Sequence, residues 1–177
     1  VTGVQTCALP IYIVNTLKDN NMQLTKNFSL TEFTQSATAA RLNISNSPNE
    51  KELENIKKTA EYLQIIRDEI GVPMRISSGF RSKKLNKAIK GSLTSAHCYG
   101  SAVDIHASGY TSTELAFKVK EMADSGKIPF DQIILEFPGT SNTWVHLGFR
   151  HNSPMRKQCL TAKKIKGKTT YLQGFVP

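Results

Sequence analysis

The chain has 177 residues, of which 39% are apolar, and a formal net charge of +9. This length supports one sizeable core and a single compact domain, and the charge favours polyanionic surroundings such as nucleic acid, anionic lipid or the teichoic acids of a bacterial envelope. No apolar run approaches the roughly 20 residues of a membrane span, and three cysteines without C-x-x-C spacing indicate neither a disulfide framework nor a thiolate zinc cluster.

The first eleven residues, VTGVQTCALPI, resemble the translation of a sequencing-library adapter. We therefore expect residues 1–11 to be foreign to the natural protein and its true N-terminus to be missing, with residues 12–27 as a lead-in. Under this interpretation Cys7 carries no information, and the lack of a signal peptide is not evidence about export.

Helix signals dominate the N-terminal half. Ser29 and Glu32 form a predicted capping box at the start of a short helix. The segment SPNE (residues 47–50) predicts the start of a longer helix, with Ser47 as N-cap, and Gly71 predicts its end. The apolar stripe of this helix recurs at three- and four-residue steps: Leu53, Ile56, Ala60, Leu63, Ile66 and Ile70.

Helices and strands alternate in the second half. Ser82 predicts the start of a short helix that ends by Gly91, and Thr111 with Glu114 predicts a capped helix that ends by Gly126. Between and after these helices lie three strand-like runs, SAVDIHA, FDQIILEF and TWVHLGF. Helices first and strands later predict an α+β fold, with helices packed on a small antiparallel sheet.

The last forty residues are basic. From Pro138 to Pro177 there is no Asp or Glu, and residues 152–177 predict a hairpin of the same domain that turns at Lys166, Gly167 and Lys168. Its lysines are typical of a solvated edge that resists edge-to-edge pairing. They also fit a contact surface for an anionic envelope or nucleic acid, although no nucleic-acid motif accompanies them and we expect no specific nucleic-acid partner.

Strand alternation groups the ionisable residues. In SAVDIHA, Asp104 and His106 share one face, in TWVHLGF Trp144 and His146 share one face, and Glu136 lies opposite the apolar face of FDQIILEF. The loop PGTSNT predicts that the last two runs form a hairpin. Only an even register would put Glu136 and His146 on the same face, and the sequence leaves that register open.

A loop histidine completes a metal-ligand pattern. Gly100 permits a tight turn that returns His97 to the face of Asp104 and His146. Two imidazoles and one carboxylate, with a fourth position open to water, are the ligand set of a catalytic zinc site, and a nearby Glu would act as general base in amide hydrolysis. The alternative is structural, since a histidine can satisfy backbone groups and an aspartate can cap a helix.

Three motifs in order resemble one family. SAHCYGSAVDIHA resembles the S-x-H-x-x-G-x-A-x-D motif of the zinc D-Ala-D-Ala carboxypeptidases, a group with VanX-type dipeptidases, phage endolysins and, as a structural relative, the hedgehog domain. SSGFRS and TWVHLGF resemble two further family segments. FSLTEFTQSATAARLNISNSPN is similar to the N-terminal region of the phage-type branch, so the resemblance covers Phe28 to Phe149.

The resemblance implies a hedgehog-like peptidase domain over residues 28–151 that binds one zinc ion through His97, Asp104 and His146. It implies that Arg81 binds a substrate carboxylate or steadies the developing oxyanion. The implied reaction is hydrolysis of a peptide bond in the peptidoglycan stem peptide, by a carboxypeptidase or by an endolysin-type endopeptidase.

One position departs from the family pattern. Many relatives carry a catalytic acid three residues before the last histidine, where this chain has Thr143. Glu136 is the candidate base and Asp131 the weaker one. The missing acid also motivates an alternative function, a non-catalytic zinc-stabilised module that binds the cell wall or belongs to a virion.

Further residues are assigned from their positions. Ser95, His106 and Trp144 join Arg81 as predicted substrate contacts, with His106 in a supporting role rather than as a ligand. His151 is predicted to lie at the surface, and Cys98 to fill space in the packing. We expect a monomer without a membrane span that acts on the bacterial cell wall, either phage-encoded or exported.

Overall fold

The computed structural model describes residues 22–177, so the expected adapter segment, Cys7 and most of the lead-in lie outside the described residues. The helices are α1 (Leu30–Thr34), α2 (Ala37–Arg41), α3 (Glu50–Ile70), α4 (Lys83–Ala88) and α5 (Ser112–Asp124), with a 3-10 turn at Ala96–Tyr99. The strands are β1 (Met74–Ser78), β2 (Ala102–Ala107), β3 (Gln132–Glu136), β4 (Trp144–Gly148), β5 (Gln158–Ile165) and β6 (Lys168–Gln173).

All six strands form one sheet in the order β1-β2-β4-β3-β5-β6. The predicted α+β class is confirmed, but the sheet is mixed rather than antiparallel throughout, because β5 runs parallel to β3. The start of β3 pairs with the end of β4, at Gln132 and Gly148. The connection 149–157 therefore enters β5 at that same end of the sheet, and β5 takes the direction of β3.

The core lies against one face of this sheet. Five residues of the predicted stripe on α3 are buried: Ile56, Ala60, Leu63, Ile66 and Ile70. They share a cluster with the apolar faces of the central strands, and α5 packs against β2, β3 and β4. Each fully buried Ile or Leu contributes roughly 1.5–3 kcal/mol. The opposite face of the sheet carries the polar side chains.

Local signals set most helix starts. The capping boxes at Ser29 and Thr111 are confirmed, but α3 begins two residues later than predicted. Its N-cap is Asn49, whose side chain accepts a hydrogen bond from Glu52 N at 2.9 Å, while the Glu52 carboxylate accepts one from Asn49 N at 2.8 Å. Asn caps a helix as well as Ser does, and Glu52 supplies the reciprocal acceptor that completes this box.

The C-terminal hairpin consists of β5 and β6. Its turn lies at Lys166 and Gly167, whose φ angles of 49° and 77° suit the two-residue turns that match strand twist. β6 forms one edge of the sheet. Within residues 22–177, no helix is both long and apolar enough to cross a membrane.

Candidate metal centre and catalytic cavity

Three predicted ligands converge on the polar face. Asp104 of β2 and His146 of β4 are direct cross-strand partners, and the 3-10 turn brings His97 over them. Gly100 ends that turn with a φ of 68°, and a Cβ there would lie only 2.6 Å from the Glu52 carbonyl oxygen. The turn therefore requires glycine for its backbone angle and for its close approach to α3.

The ligand atoms form a compact triangle. The distance from His97 Nε2 to His146 Nδ1 is 3.2 Å, from His97 Nε2 to Asp104 Oδ1 3.3 Å, and from His146 Nδ1 to Asp104 Oδ1 2.9 Å. Zinc held tetrahedrally by nitrogen and oxygen at 2.0–2.1 Å spaces its ligands by about 3.3 Å. These three residues are a candidate His-Asp-His metal site, and their spacing fits zinc.

The tautomer of His97 suits metal binding. Its Nδ1 lies 2.7 Å from the Gly79 carbonyl oxygen, which can only accept, so Nδ1 carries the proton and Nε2 keeps its lone pair. Burial lowers the pKa of His97, which opposes protonation of that lone pair despite the neighbouring Asp104. The imidazole is thus held neutral and oriented towards the triangle.

The two oxygens of the Asp104 carboxylate have different partners. Burial alone would raise its pKa, but the adjacent His97 and His146 hold the pKa of this carboxyl well below its usual range. Its Oδ1 faces the histidines, and its Oδ2 accepts a hydrogen bond from Arg81 at 2.9 Å. Arg81 also donates from Nε to Ser78 Oγ at 2.9 Å. One role of Arg81 in the structure is therefore to orient a ligand.

Glu136 lies beside the triangle on β3. It pairs with Trp144, two residues from His146, so the register is the even one and both side chains share the polar face. Burial raises the pKa of Glu136 to about 6, although His146 acts in the opposite direction. Among the described residues no group donates a hydrogen bond to this carboxylate. Such an unpaired carboxylate is free to accept a proton.

Thr143 and Asp131 have structural partners. The Thr143 hydroxyl donates to the Glu136 carbonyl oxygen at 2.8 Å and so closes the loop between β3 and β4. Asp131 is buried, and its carboxylate pairs with Arg156 and Arg150. Although its burial acts the other way, these partners hold the pKa of Asp131 below its ordinary value. Asp131 also lies at the opposite end of β3 from Glu136, which leaves Glu136 as the candidate base.

A cavity of about 490 Å³ opens over the triangle. Arg81, Ser95, Glu136 and Trp144 line it together with the three ligands, so the structure gathers these predicted site residues in one place. His106 is not among the described lining residues. In the β1–β2 register His106 lies opposite Arg75. Burial and the positive charge of Arg75 lower the pKa of His106.

Two further assignments have different outcomes. Cys98 is buried, as its packing role requires. His151 is half-buried rather than at the free surface, because its ring stacks on Tyr62 and Phe149 and its Nε2 lies 3.3 Å from Thr59 Oγ1. Sequence alternation could not show this contact, since His151 follows the end of β4 and meets residues of α3.

The sequence interpretation missed the contribution of the C-terminal region to the cavity. Arg156, Leu160 and Tyr171 belong to the C-terminal region and line the same cavity. Alternation could have placed Leu160 on one face of β5, but the sequence does not show which strand β5 joins. Without that pairing, the hairpin could not be assigned to the cavity.

The chain is similar to one known protein family and to one solved structure. The sequence model of the family described as Peptidase M15 matches residues 26–148. The solved structure of the Serratia marcescens L-Ala D-Glu endopeptidase ChiX is 21% identical, covering 57% of this chain and 87% of that one, with a TM-score of 0.36. No curated protein matches the chain.

Proposed function

Because the chain belongs to the peptidase M15 family, we propose that it is a zinc-dependent metallopeptidase that cleaves a peptide bond in the peptidoglycan stem peptide. The observation that carries this proposal is the triangle of ligand atoms beneath a cavity that also holds the unpaired Glu136 carboxylate. That combination suits water activation beside a bound peptide.

His97, Asp104 and His146 would hold the zinc ion. Two imidazoles and a carboxylate leave one position for water or substrate, which distinguishes a catalytic site from a closed structural one. When bound, zinc would polarise the scissile carbonyl and lower the pKa of a water molecule in the site. Arg81 and the Gly79 carbonyl support this set by orienting Asp104 and His97.

Glu136 would serve as the general base. With a pKa of about 6 its carboxylate is mostly ionised at neutral pH, yet it is basic enough to take a proton from the attacking water. The same carboxyl would then pass that proton to the nitrogen of the leaving amine. Thr143 takes no part in this transfer, because its hydroxyl is committed to the backbone of Glu136.

The remaining cavity residues would bind the peptide. Arg81 uses two of its nitrogens within the site, and its other N–H groups are available for a substrate carboxylate or the developing oxyanion. Ser95 and Trp144 line the same cavity and would contact the substrate. We further propose action on the bacterial cell wall by a phage-encoded or exported monomer.

Mass spectrometry of products from defined peptidoglycan fragments tests the proposal. We expect about one zinc per chain, cleavage of a stem-peptide bond, and loss of cleavage with a chelator or with His146→Ala. Glu136→Gln should lose turnover while it keeps zinc, and Thr143→Val is the matched control that should retain turnover. Cleavage that survives both the chelator and His146→Ala would overturn the proposal. The products also distinguish a carboxypeptidase from an endopeptidase.

A second candidate is a non-catalytic zinc-stabilised module that binds the cell wall. It is favoured by one observation, the absence of an acid at position 143. A wild-type protein that binds zinc and peptidoglycan but cleaves none of the fragments would support this module against the peptidase. Loss of measurable turnover on Glu136→Gln would support the peptidase.

A further inference from the structure

The C-terminal hairpin extends the polar face beyond the region that matches the family. The family match ends at residue 148, whereas the hairpin occupies residues 158–173. Residues that share a register row lie side by side on the same face of a sheet. One such row runs across four strands, from Trp144 through Glu136 and Ala162 to Tyr171.

This row gives the cavity a second wall. Asp104 lies on β2, His146 on β4, Glu136 on β3 and Tyr171 on β6. Ala162 of β5 is the small residue between the last two. Tyr171 and Leu160 both line the cavity that contains the ligands. Tyr171 as a whole residue is 54% exposed, and it lines the cavity, so its phenol is available to a molecule there.

The charged residues of the site also affect the pKa of the Tyr171 phenol. Partial burial raises the pKa of Tyr171, and the negative charges of Glu136 and Asp104 raise it further. The hydroxyl therefore stays protonated at neutral pH and is a hydrogen-bond donor. A donor facing a peptide cleft is suited to a backbone carbonyl of the substrate.

The hairpin is held firmly enough to serve as a wall. Five residues of β5 pair with β3, and Gln132 donates a side-chain hydrogen bond to Gln158 at 2.9 Å. The buried Thr161 hydroxyl donates to the Gly174 carbonyl at 2.7 Å and accepts from Val176 N at 2.8 Å. These contacts anchor β5 and the segment that follows β6.

We propose that Tyr171 is a substrate-binding residue, whose hydroxyl donates to a backbone carbonyl of the stem peptide on one side of the scissile bond, with Leu160 as the apolar floor beside it. This inference rests on the proposed function. Three strand spacings separate β4 from β6, or about 14 Å, a span of about four extended residues. Tyr171 thus contacts the peptide away from the bond that is cut.

The test compares Tyr171→Phe with wild type on two series of synthetic stem-peptide fragments, one trimmed from each end. Phe keeps the ring and removes only the donor. We expect kcat/KM to fall about five- to tenfold for the longest fragment, the value of one hydrogen bond, and the difference to vanish when one particular end is trimmed. Tyr110→Phe is the matched control, since Tyr110 is a partly buried tyrosine outside the described lining of this cavity. This substitution should leave kcat/KM unchanged for every fragment.

A binding measurement keeps the inference separate from turnover. In the Glu136→Gln background, Tyr171→Phe should weaken the Kd for the longest fragment by the same factor. Equal cleavage and binding by wild type and Tyr171→Phe on every fragment would overturn the inference, as would a loss that is the same at all lengths. If wild type binds without cleaving, only the proposed function fails, and the Kd values decide on Tyr171. If it neither cleaves nor binds, both fail.

Discussion

Gly79→Ala should weaken zinc binding although Gly79 is not a ligand. A Cβ at this position would lie 2.4 Å from the Phe33 carbonyl oxygen and 2.7 Å from Phe33 Cα. Both atoms are backbone, so they cannot rotate away as the end of a side chain could. An ordinary contact of about 3.4 Å requires the two segments to separate by about 1 Å.

This separation would displace the Gly79 carbonyl, which orients the candidate ligand His97. The Gly79 carbonyl oxygen lies 2.7 Å from His97 Nδ1, and a shift of about 1 Å would stretch this contact beyond hydrogen-bond range. His97 would then lose the partner that fixes its tautomer and ring orientation. Removing such an orienting partner costs about 10- to 100-fold in metal affinity.

Competition for zinc with a chromophoric chelator measures the effect. Gly109→Ala is the control for general destabilisation, because Gly109 has a φ of 78° and a Cβ added there would meet no atom within 4 Å. Both variants should lower the melting temperature, but only Gly79→Ala should lower the zinc affinity. A folded Gly79→Ala protein that binds zinc as tightly as wild type would refute the role assigned to this carbonyl.

Three further predictions concern the cavity and its hairpins. Glu136→Gln should stabilise the zinc-free protein, because burial raises the pKa of Glu136 from 4.5 to about 6 and its ionisation therefore opposes folding. The gain in the free energy of unfolding approaches about 2 kcal/mol above pH 6 and disappears below pH 4.5. Urea unfolding curves at both pH values measure it. Thr143→Val should cost about 1 kcal/mol through the lost bond to the Glu136 carbonyl, while Thr143→Ser retains the stability; a large fall in kcat for Thr143→Val would contradict this. Asp131→Asn should loosen the anchor at Arg156, so limited proteolysis should cut residues 158–173 sooner than in wild type, and equal rates would count against it.

Features that depend on neighbouring residues could be predicted from the sequence. The capping boxes of α1 and α5 involve side chains three residues apart, and strand alternation placed Asp104, His146 and Glu136 on faces that the structure brings together. The error at α3 belongs to the same local level. Ser47 and Asn49 are both good N-caps with a Glu three residues on, Glu50 and Glu52, and the box that forms is that of Asn49 with Glu52.

Features that depend on distant residues could not be predicted from the sequence. Nothing in the sequence of β5 states that it pairs with β3, because that choice follows from where β4 ends and how residues 149–157 turn. The cavity wall at Leu160 and Tyr171 was missed for the same reason. The contact of His151 with Tyr62 likewise joins segments about ninety positions apart in the chain.

The packing of the core fixes the geometry of the site. On β2, Val103 and Ile105 are fully buried, and Asp104 between them must therefore point to the opposite face. A slip of one residue in the β2–β4 register would turn these apolar residues to solvent, at roughly 1.5–3 kcal/mol for each, and would also remove Asp104 from His146. The core thus holds Asp104 and His146 in register with each other. Zinc affinity then depends on the two supports that the core does not supply, the Gly79 carbonyl on His97 and the Arg81 guanidinium on Asp104.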